Sequence, residues 1–183
     1  YNVPAVKTLE KIGVENMIKQ GVSMGIKSWH NLSQIGLSLT LGGAEVTMLD
    51  MARAYGTIAN LGVSRDLKSI VSIKDVSSAD LTAEFYKDSN LALAPEVMAE
   101  SKTLGLEADG KNINQAISPL SAYWLTDILS DNIARLPAFG PYAKLTVPGH
   151  KVAVKTGTSN NFRDNWTIGF SPDYLVATWV GNN

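Results

Sequence analysis

The C-terminal end of the chain constrains the fold most. Three stretches there, 151–157, about 165–171 and 174–180, are rich in β-branched and aromatic residues, which favours strands. Ser171-Pro172-Asp173 separates the last two and reads as a tight hairpin turn. Connections this short suit antiparallel neighbours, so the end of the chain is expected to be a three-stranded antiparallel meander. The first of these strands runs Val152-Ala153-Val154 and then turns polar, as Lys155-Thr156-Gly157-Thr158-Ser159. Gly157 leaves the backbone bare, so another chain can approach it. A cation, several hydroxyls and backbone N–H groups on one strand end offer donors to a carboxylate or an oxyanion. Lys-Thr-Gly by itself is short, and an exposed edge strand entering a polar turn has the same appearance.

Upstream, the periodicity is helical. Pro4 suits a first helical turn, Val6, Leu9 and Ile12 follow at helical spacing, and Gly13 ends the pattern. A second helix is expected from about Val14 to Ser23, with Met17, Ile18 and Val22 inward. Gly42-Gly43 marks a turn. Thr47-x-x-Asp50 has the spacing of a capping box and opens a helix to about Asn60, with Met48, Met51, Ala52, Tyr55 and Ile58 as its expected buried stripe. Leu67 to Val76 reads as a strand or hairpin arm. Residues 77–112 show no clear period and read as a surface excursion, with a short helix near Pro95–Lys102. Ser118-Pro119 is a cap followed by a proline, starting a helix defined by Leu120, Tyr123, Trp124, Asp127 and Ile128. Leu136 to Pro148 reads as a loop.

Composition removes several function classes. Sixteen basic and seventeen acidic residues give a net charge of −1, with no basic excess to attract nucleic acid or anionic lipid. No apolar run is long enough to span a bilayer. There are no cysteines, which excludes disulfides and thiolate metal sites, and His30 and His150 stand alone, so neither metal nor cofactor is expected.

The string from His150 through Lys155-Thr156-Gly157-Thr158-Ser159-Asn160-Asn161-Phe162-Arg163-Asp164-Asn165-Trp166 to Phe170, with Val176-Ala177-Thr178-Trp179-Val180-Gly181-Asn182-Asn183, resembles the transpeptidase domain of class A (bifunctional) penicillin-binding proteins. Tyr1-Asn2-Val3-Pro4-Ala5-Val6, Gly42-Gly43-Ala44-Glu45-Val46-Thr47 with Asp50-Met51-Ala52-Arg53-Ala54-Tyr55, and Ala116-Ile117-Ser118-Pro119 through Arg135 resemble the same family in the same order. The resemblance covers nearly the whole chain and is weakest around 77–112.

The resemblance implies an α/β (α+β) fold of the β-lactamase/transpeptidase type, an antiparallel sheet flanked by helices, with residues 1–183 as part of a single such domain. It implies a peptidoglycan D,D-transpeptidase that cross-links D-Ala-D-Ala stem peptides through an acyl-serine and is acylated by β-lactams. The family's Ser-x-x-Lys is absent from these 183 residues, and Tyr1-Asn2 match only the last two positions of its Ser-x-Asn motif. Truncation explains this more simply than degeneracy, so the chain alone is expected to be inactive. By resemblance Lys155, Asn2 and Thr158 are the catalytic candidates. Lys155 would meet the substrate carboxylate and polarise the missing serine, Asn2 would bond the amide side, and the Thr158 N–H would be an oxyanion donor. Gly157, Thr156 and Ser159 are the substrate-binding candidates, with the Thr156 side chain on the opposite face and mainly structural. Asp164 and Trp166 recur in the family pattern, and a turn residue and a core aromatic explain them equally well. The implied location is extracytoplasmic, with a membrane anchor elsewhere in the protein. A β-lactamase or D,D-carboxypeptidase of the same fold and a non-catalytic penicillin-binding sensor or scaffold remain the alternatives.

Overall fold

The computed structural model describes residues 2–29, 35–82, 114–159 and 163–181. Helices α1 (Asn2–Ile12) and α2 (Val14–Ser23) meet at Gly13, whose N–H bonds the Leu9 carbonyl at 2.8 Å. Two 3-10 turns follow, Lys27–Trp29 and Leu37–Leu41. Helix α3 (Met48–Ala59) starts at Thr47, whose hydroxyl accepts the Asp50 N–H at 3.1 Å. After the two-residue strands β1 (Val63–Ser64) and β2 (Asn114–Gln115) comes α4 (Pro119–Ser130). Its cap is Ser118, which accepts the Ser121 N–H at 3.0 Å, with Pro119 in the first turn. Helix α5 (Asn132–Phe139) is capped by Asp131, which accepts the Ile133 and Ala134 N–H groups. The chain then forms the antiparallel meander expected from its sequence, with β3 (Ala153–Thr158), β4 (Asp164–Phe170) and β5 (Leu175–Gly181) in that order. At the β4–β5 turn the Ser171 N–H bonds the Tyr174 carbonyl at 2.8 Å.

The chain divides into two compact units, Tyr1–Arg65 with Gln115–Asn183, and Asp66–Asn114. The larger unit holds two apolar clusters. Leu9, Ile26, Trp29, Leu39 and Ala54 form one, joined by Met17, Ile18 and Val22 of α2. Ile58, Ala153 and Phe170 form the other, with Tyr55, Ile117, Leu129 and Leu175 packed against it. Both clusters use α3, through Ala54 and Ile58, so this helix is the wall shared by the helical core and the sheet. The Tyr55 and Phe170 rings sit 6.4 Å apart at a tilted angle, a favourable aromatic arrangement. Gly62 joins α3 to the segment leading into α4. Its φ is +87°, and a Cβ there would lie 2.0 Å from the Ile117 carbonyl oxygen, so only glycine fits.

Helix boundaries followed their caps, but two buried faces did not follow the apolar pattern. On α3 the buried residues are Asp50, Ala54, Thr57 and Ile58, while Met48 is exposed. The polar members can be inside because they are satisfied. Asp50 takes the Ser28 N–H at 3.1 Å and Arg53 at 2.9 Å, and the Thr57 hydroxyl donates to the Arg53 carbonyl at 2.9 Å. On α4, Ala122 and Ser130 are buried, whereas Leu120, Tyr123, Trp124 and Ile128 are exposed. The loop expected from Leu136 begins as helix, with Pro137 inside α5, because the Asp131 cap sets the helix going first.

In the smaller unit the strand or hairpin arm expected over 67–76 is reduced, among the described residues, to an antiparallel bridge between Lys74 and Asp80, with the Leu81 N–H on the Ile73 carbonyl at 2.8 Å. The Asp75 carboxylate takes the N–H groups of Ser77 and Ala79 at 2.8 and 2.9 Å, a local alternative to a ladder. The short helix expected near Pro95–Lys102 lies outside the described residues.

Candidate active site

The polar end of β3 is an edge. β4 pairs on one side of it, with Lys155 opposite Ile168 and Gly157 opposite Trp166, and among the described residues no strand pairs on the other. The direction of its backbone groups follows from one bond. The Ser159 N–H donates to the Asp164 carbonyl at 3.0 Å, so residue 159 addresses β4. Neighbouring residues of an antiparallel strand point their N–H and C=O to opposite sides. Thr156 and Thr158 therefore turn theirs to the free edge. The Lys155 ammonium agrees with this, since it reaches round the strand and donates to the Thr156 carbonyl.

The side chains divide by the period of two. Ala153, Lys155 and Gly157 share one face. Ala153 is buried against Ile58 and Phe170, while Lys155 two positions on is exposed. The helices thus cover the beginning of β3 and leave its end open. Thr156 and Thr158 lie on the other face, where Thr156, Thr167 and Thr178 form a cross-strand row, with Thr156 half-buried. Ahead of the strand, Lys151 pairs with Asp127 of α4 at 2.9 Å. The hydrogen bond to Asp127, helped by its charge, raises the Lys151 ammonium above its ordinary value.

Ser159 is engaged within the protein. Its hydroxyl donates to one Asp164 carboxylate oxygen at 2.7 Å and accepts the Asp164 N–H at 2.9 Å. The other carboxylate oxygen receives the Trp179 indole N–H at 3.0 Å. By sequence Asp164 is open between a residue of the family pattern and a turn residue, and Trp179 enters only as part of the C-terminal string, with no role of its own. The available signal was that Ser159 and Asp164 flank one hairpin connection, a spacing at which paired strands bring side chains together. Trp166, opposite both Gly157 and Trp179, is half-buried. Asn2 occupies the first turn of α1, and among the described residues it makes no hydrogen bond to Lys155, Thr158 or Ser159.

What this arrangement offers is an exposed ammonium, an open N–H at Thr158 and an unpaired strand edge. Those groups can pair with an extended chain and hold an anionic end. Among the described residues no cluster of His, Asp and Glu could hold a metal ion, and no helix is long and apolar enough to cross a membrane.

Comparison with known proteins gives one consistent neighbourhood. Residues 4–182 match the family model described as the penicillin binding protein transpeptidase domain. Penicillin-binding protein 1A of Clostridium botulinum (strain Langeland) is 30% identical over the whole chain, and that of Aquifex aeolicus is 29% identical over 98% of it. The chain spans about a fifth of the length of these relatives, 19% and 20%. Among solved structures, penicillin-binding protein PonA1 of Mycobacterium tuberculosis is similar at a TM-score of 0.65 with 22% identity, covering 93% of this chain and 42% of PonA1. An imipenem acyl-enzyme complex of penicillin-binding protein A from M. tuberculosis is similar at 0.62 with 21% identity, covering 99% and 40%. The fold is that of the β-lactamase/transpeptidase type, helices with an antiparallel sheet.

Proposed function

Because the chain belongs to the penicillin binding protein transpeptidase domain family, we propose that it supplies the substrate-binding strand of a peptidoglycan D,D-transpeptidase. The reading takes the nucleophilic serine from another part of a longer protein. That serine attacks the carbonyl of the D-Ala-D-Ala bond and D-alanine leaves with a proton; an amine of a second stem peptide then takes the acyl group, the ester bond to the serine breaks, and the amine's proton returns to the serine oxygen. β-Lactams would acylate the same serine along the same strand. PonA1 has been solved in complex with penicillin V, which supports this choice of ligand. A cell-wall substrate requires an extracytoplasmic site, with the anchor elsewhere in the protein.

The observation that carries the reading is the free edge of β3, which sets the Lys155 ammonium beside open backbone groups of Thr156 and Thr158. In the reading, the Lys155 ammonium leaves the Thr156 carbonyl for the substrate carboxylate. Gly157 keeps the strand surface low where the peptide pairs, the Thr158 N–H faces the developing oxyanion, and Asn2 meets the amide side. An N–H fixed in advance stabilises the oxyanion without reorganisation during the reaction.

The test uses the full-length protein and the second-order rate of acylation by a fluorescent penicillin. A hydrogen bond to a charged group contributes roughly 1.5–3 kcal/mol, so Lys155→Ala should slow acylation about ten- to a hundredfold at nearly unchanged melting temperature. Lys155→Arg keeps the charge in a planar fork and should recover part of the rate. Thr156→Val should affect stability more than rate. Parental acylation by Lys155→Ala, with a slow Thr156→Val, would reverse the assigned faces and end the role given to Lys155.

A further inference from the structure

One carboxylate ties all three strands together at the turn end of the sheet. Asp164 opens β4 and holds the Ser159 hydroxyl, just past β3, at 2.7 Å, and the Trp179 indole N–H of β5 at 3.0 Å. The Asp164 N–H returns to the Ser159 hydroxyl oxygen at 2.9 Å. Gly181, opposite Asp164 on β5, makes room for this. A Cβ there would stand 2.4 Å from Trp179 Cζ2 and 2.9 Å from the Arg163 carbonyl oxygen. The bare position lets the indole fold over the strand end and bring its nitrogen to the carboxylate.

We propose that Asp164 is a positioning residue for acyl transfer, which fixes the end of β3 through Ser159 and thereby aims the Thr158 N–H. The inference rests on the transpeptidase reading. Thr158 is the last residue of its strand, and strand ends lack the ladder bonds that hold the interior. Two side-chain bonds and one backbone bond on the very next residue replace them. A hydroxyl has a single hydrogen, and that of Ser159 goes to Asp164. Ser159 therefore serves the site through its backbone and not as a donor to substrate. A carboxylate accepts from both partners at once, whereas an amide can accept on one side only and presents a donor on the other. Asp164→Asn consequently keeps the shape but either sets its NH2 against the indole N–H, which cannot accept, or replaces the charge-assisted bond from Ser159 by a neutral one in the reverse sense.

The experiment measures penicillin acylation of the full-length protein for the parent, Asp164→Asn, Ser159→Ala, their double variant and Ser159→Thr. Noncovalent binding is separated from the acylation step, and melting temperatures are recorded. Each single variant should acylate about tenfold more slowly at saturating penicillin, with noncovalent affinity changed by less than about twofold. The double variant should fall no further than the slower single one, because both changes cut the same link. Ser159→Thr keeps the hydroxyl and should acylate near the parental rate. Effects that multiply in the double variant, or a loss lying wholly in noncovalent affinity, overturn the proposal. If Asp164→Asn does not melt cooperatively, equal rates for Ser159→Ala and Ser159→Thr overturn it instead. A parent that takes no label sinks the transpeptidase reading and this inference together. A labelled parent with a parental-rate Asp164→Asn sinks the inference alone.

Discussion

In the helical part of the larger unit, Asp50 is 3% exposed and gathers the Ser28 N–H and the Arg53 guanidinium. In the sheet, Asp164 is only half-buried and gathers the Ser159 hydroxyl and the Trp179 indole N–H. Each region is drawn together by one carboxylate that accepts from one near residue and one distant one, Ser28 twenty-two positions from Asp50 and Trp179 fifteen from Asp164. Each also lays a tryptophan ring over a glycine, Trp29 over Gly21 and Trp179 over Gly181. Burial separates the two. Asp50 is almost shut off from water, so losing a partner should cost stability. At Asp164 water can replace a lost partner, so the cost should appear in where the end of β3 points.

The sharpest break of this contrast is Asp50→Ala. It takes the shared carboxylate away from Arg53 and the Ser28 N–H, and removing one member of a buried charged pair costs about 3 kcal/mol or more. The urea midpoint of the full-length protein should drop accordingly, and a cost under about 1 kcal/mol would put Asp50 in the same class as Asp164. The two glycines compare the regions at equal chemistry. In Gly21→Ala the new methyl would meet Trp29 Cζ3 at 2.4 Å inside a packed core, where overpacking costs about 1–3 kcal/mol. Gly181→Ala meets Trp179 at the same distance, but that ring has solvent to swing into. It should cost less stability than Gly21→Ala while slowing acylation as Asp164→Asn does. The reverse order of melting temperatures would overturn the contrast.

The smallest expected effect is on acid stability. Burial by itself raises the Asp50 carboxyl, but the N–H and hydroxyl of Ser28, the Lys27 N–H and the Thr47 hydroxyl outweigh it and hold the group below the usual carboxylate range. A value depressed on folding contributes stability that is present above the unfolded value, near pH ~4, and is lost as pH falls toward the folded one. Below pH ~4 the melting temperature of the parent should therefore fall more steeply than that of Asp50→Asn. Parallel acid limbs would remove Asp50 from the acid sensitivity.

The sequence by itself determined what local chemistry controls. Gly13, Thr47 and Ser118-Pro119 set helix ends, and Ser171-Pro172-Asp173 set the last hairpin, because caps and turns are bonds between residues a few positions apart. The alternation through Val154, Lys155 and Thr156 likewise fixed which side chains share a face of β3. Tertiary structure alone decided which face of α3 went inside. The apolar pattern favoured Met48 and Met51, yet Asp50 and Thr57 were buried, because Ser28 and the Met24 carbonyl came within hydrogen-bonding reach from another segment. It decided that Leu120, Tyr123, Trp124 and Ile128 of α4 face outward while Ala122 packs inward. It also turned Asp164 from a turn residue into the junction of three strands. A donor such as the Trp179 indole, fifteen residues away, can be assigned to a carboxylate only after the strands have paired and a bare Gly181 has let the ring lie across them.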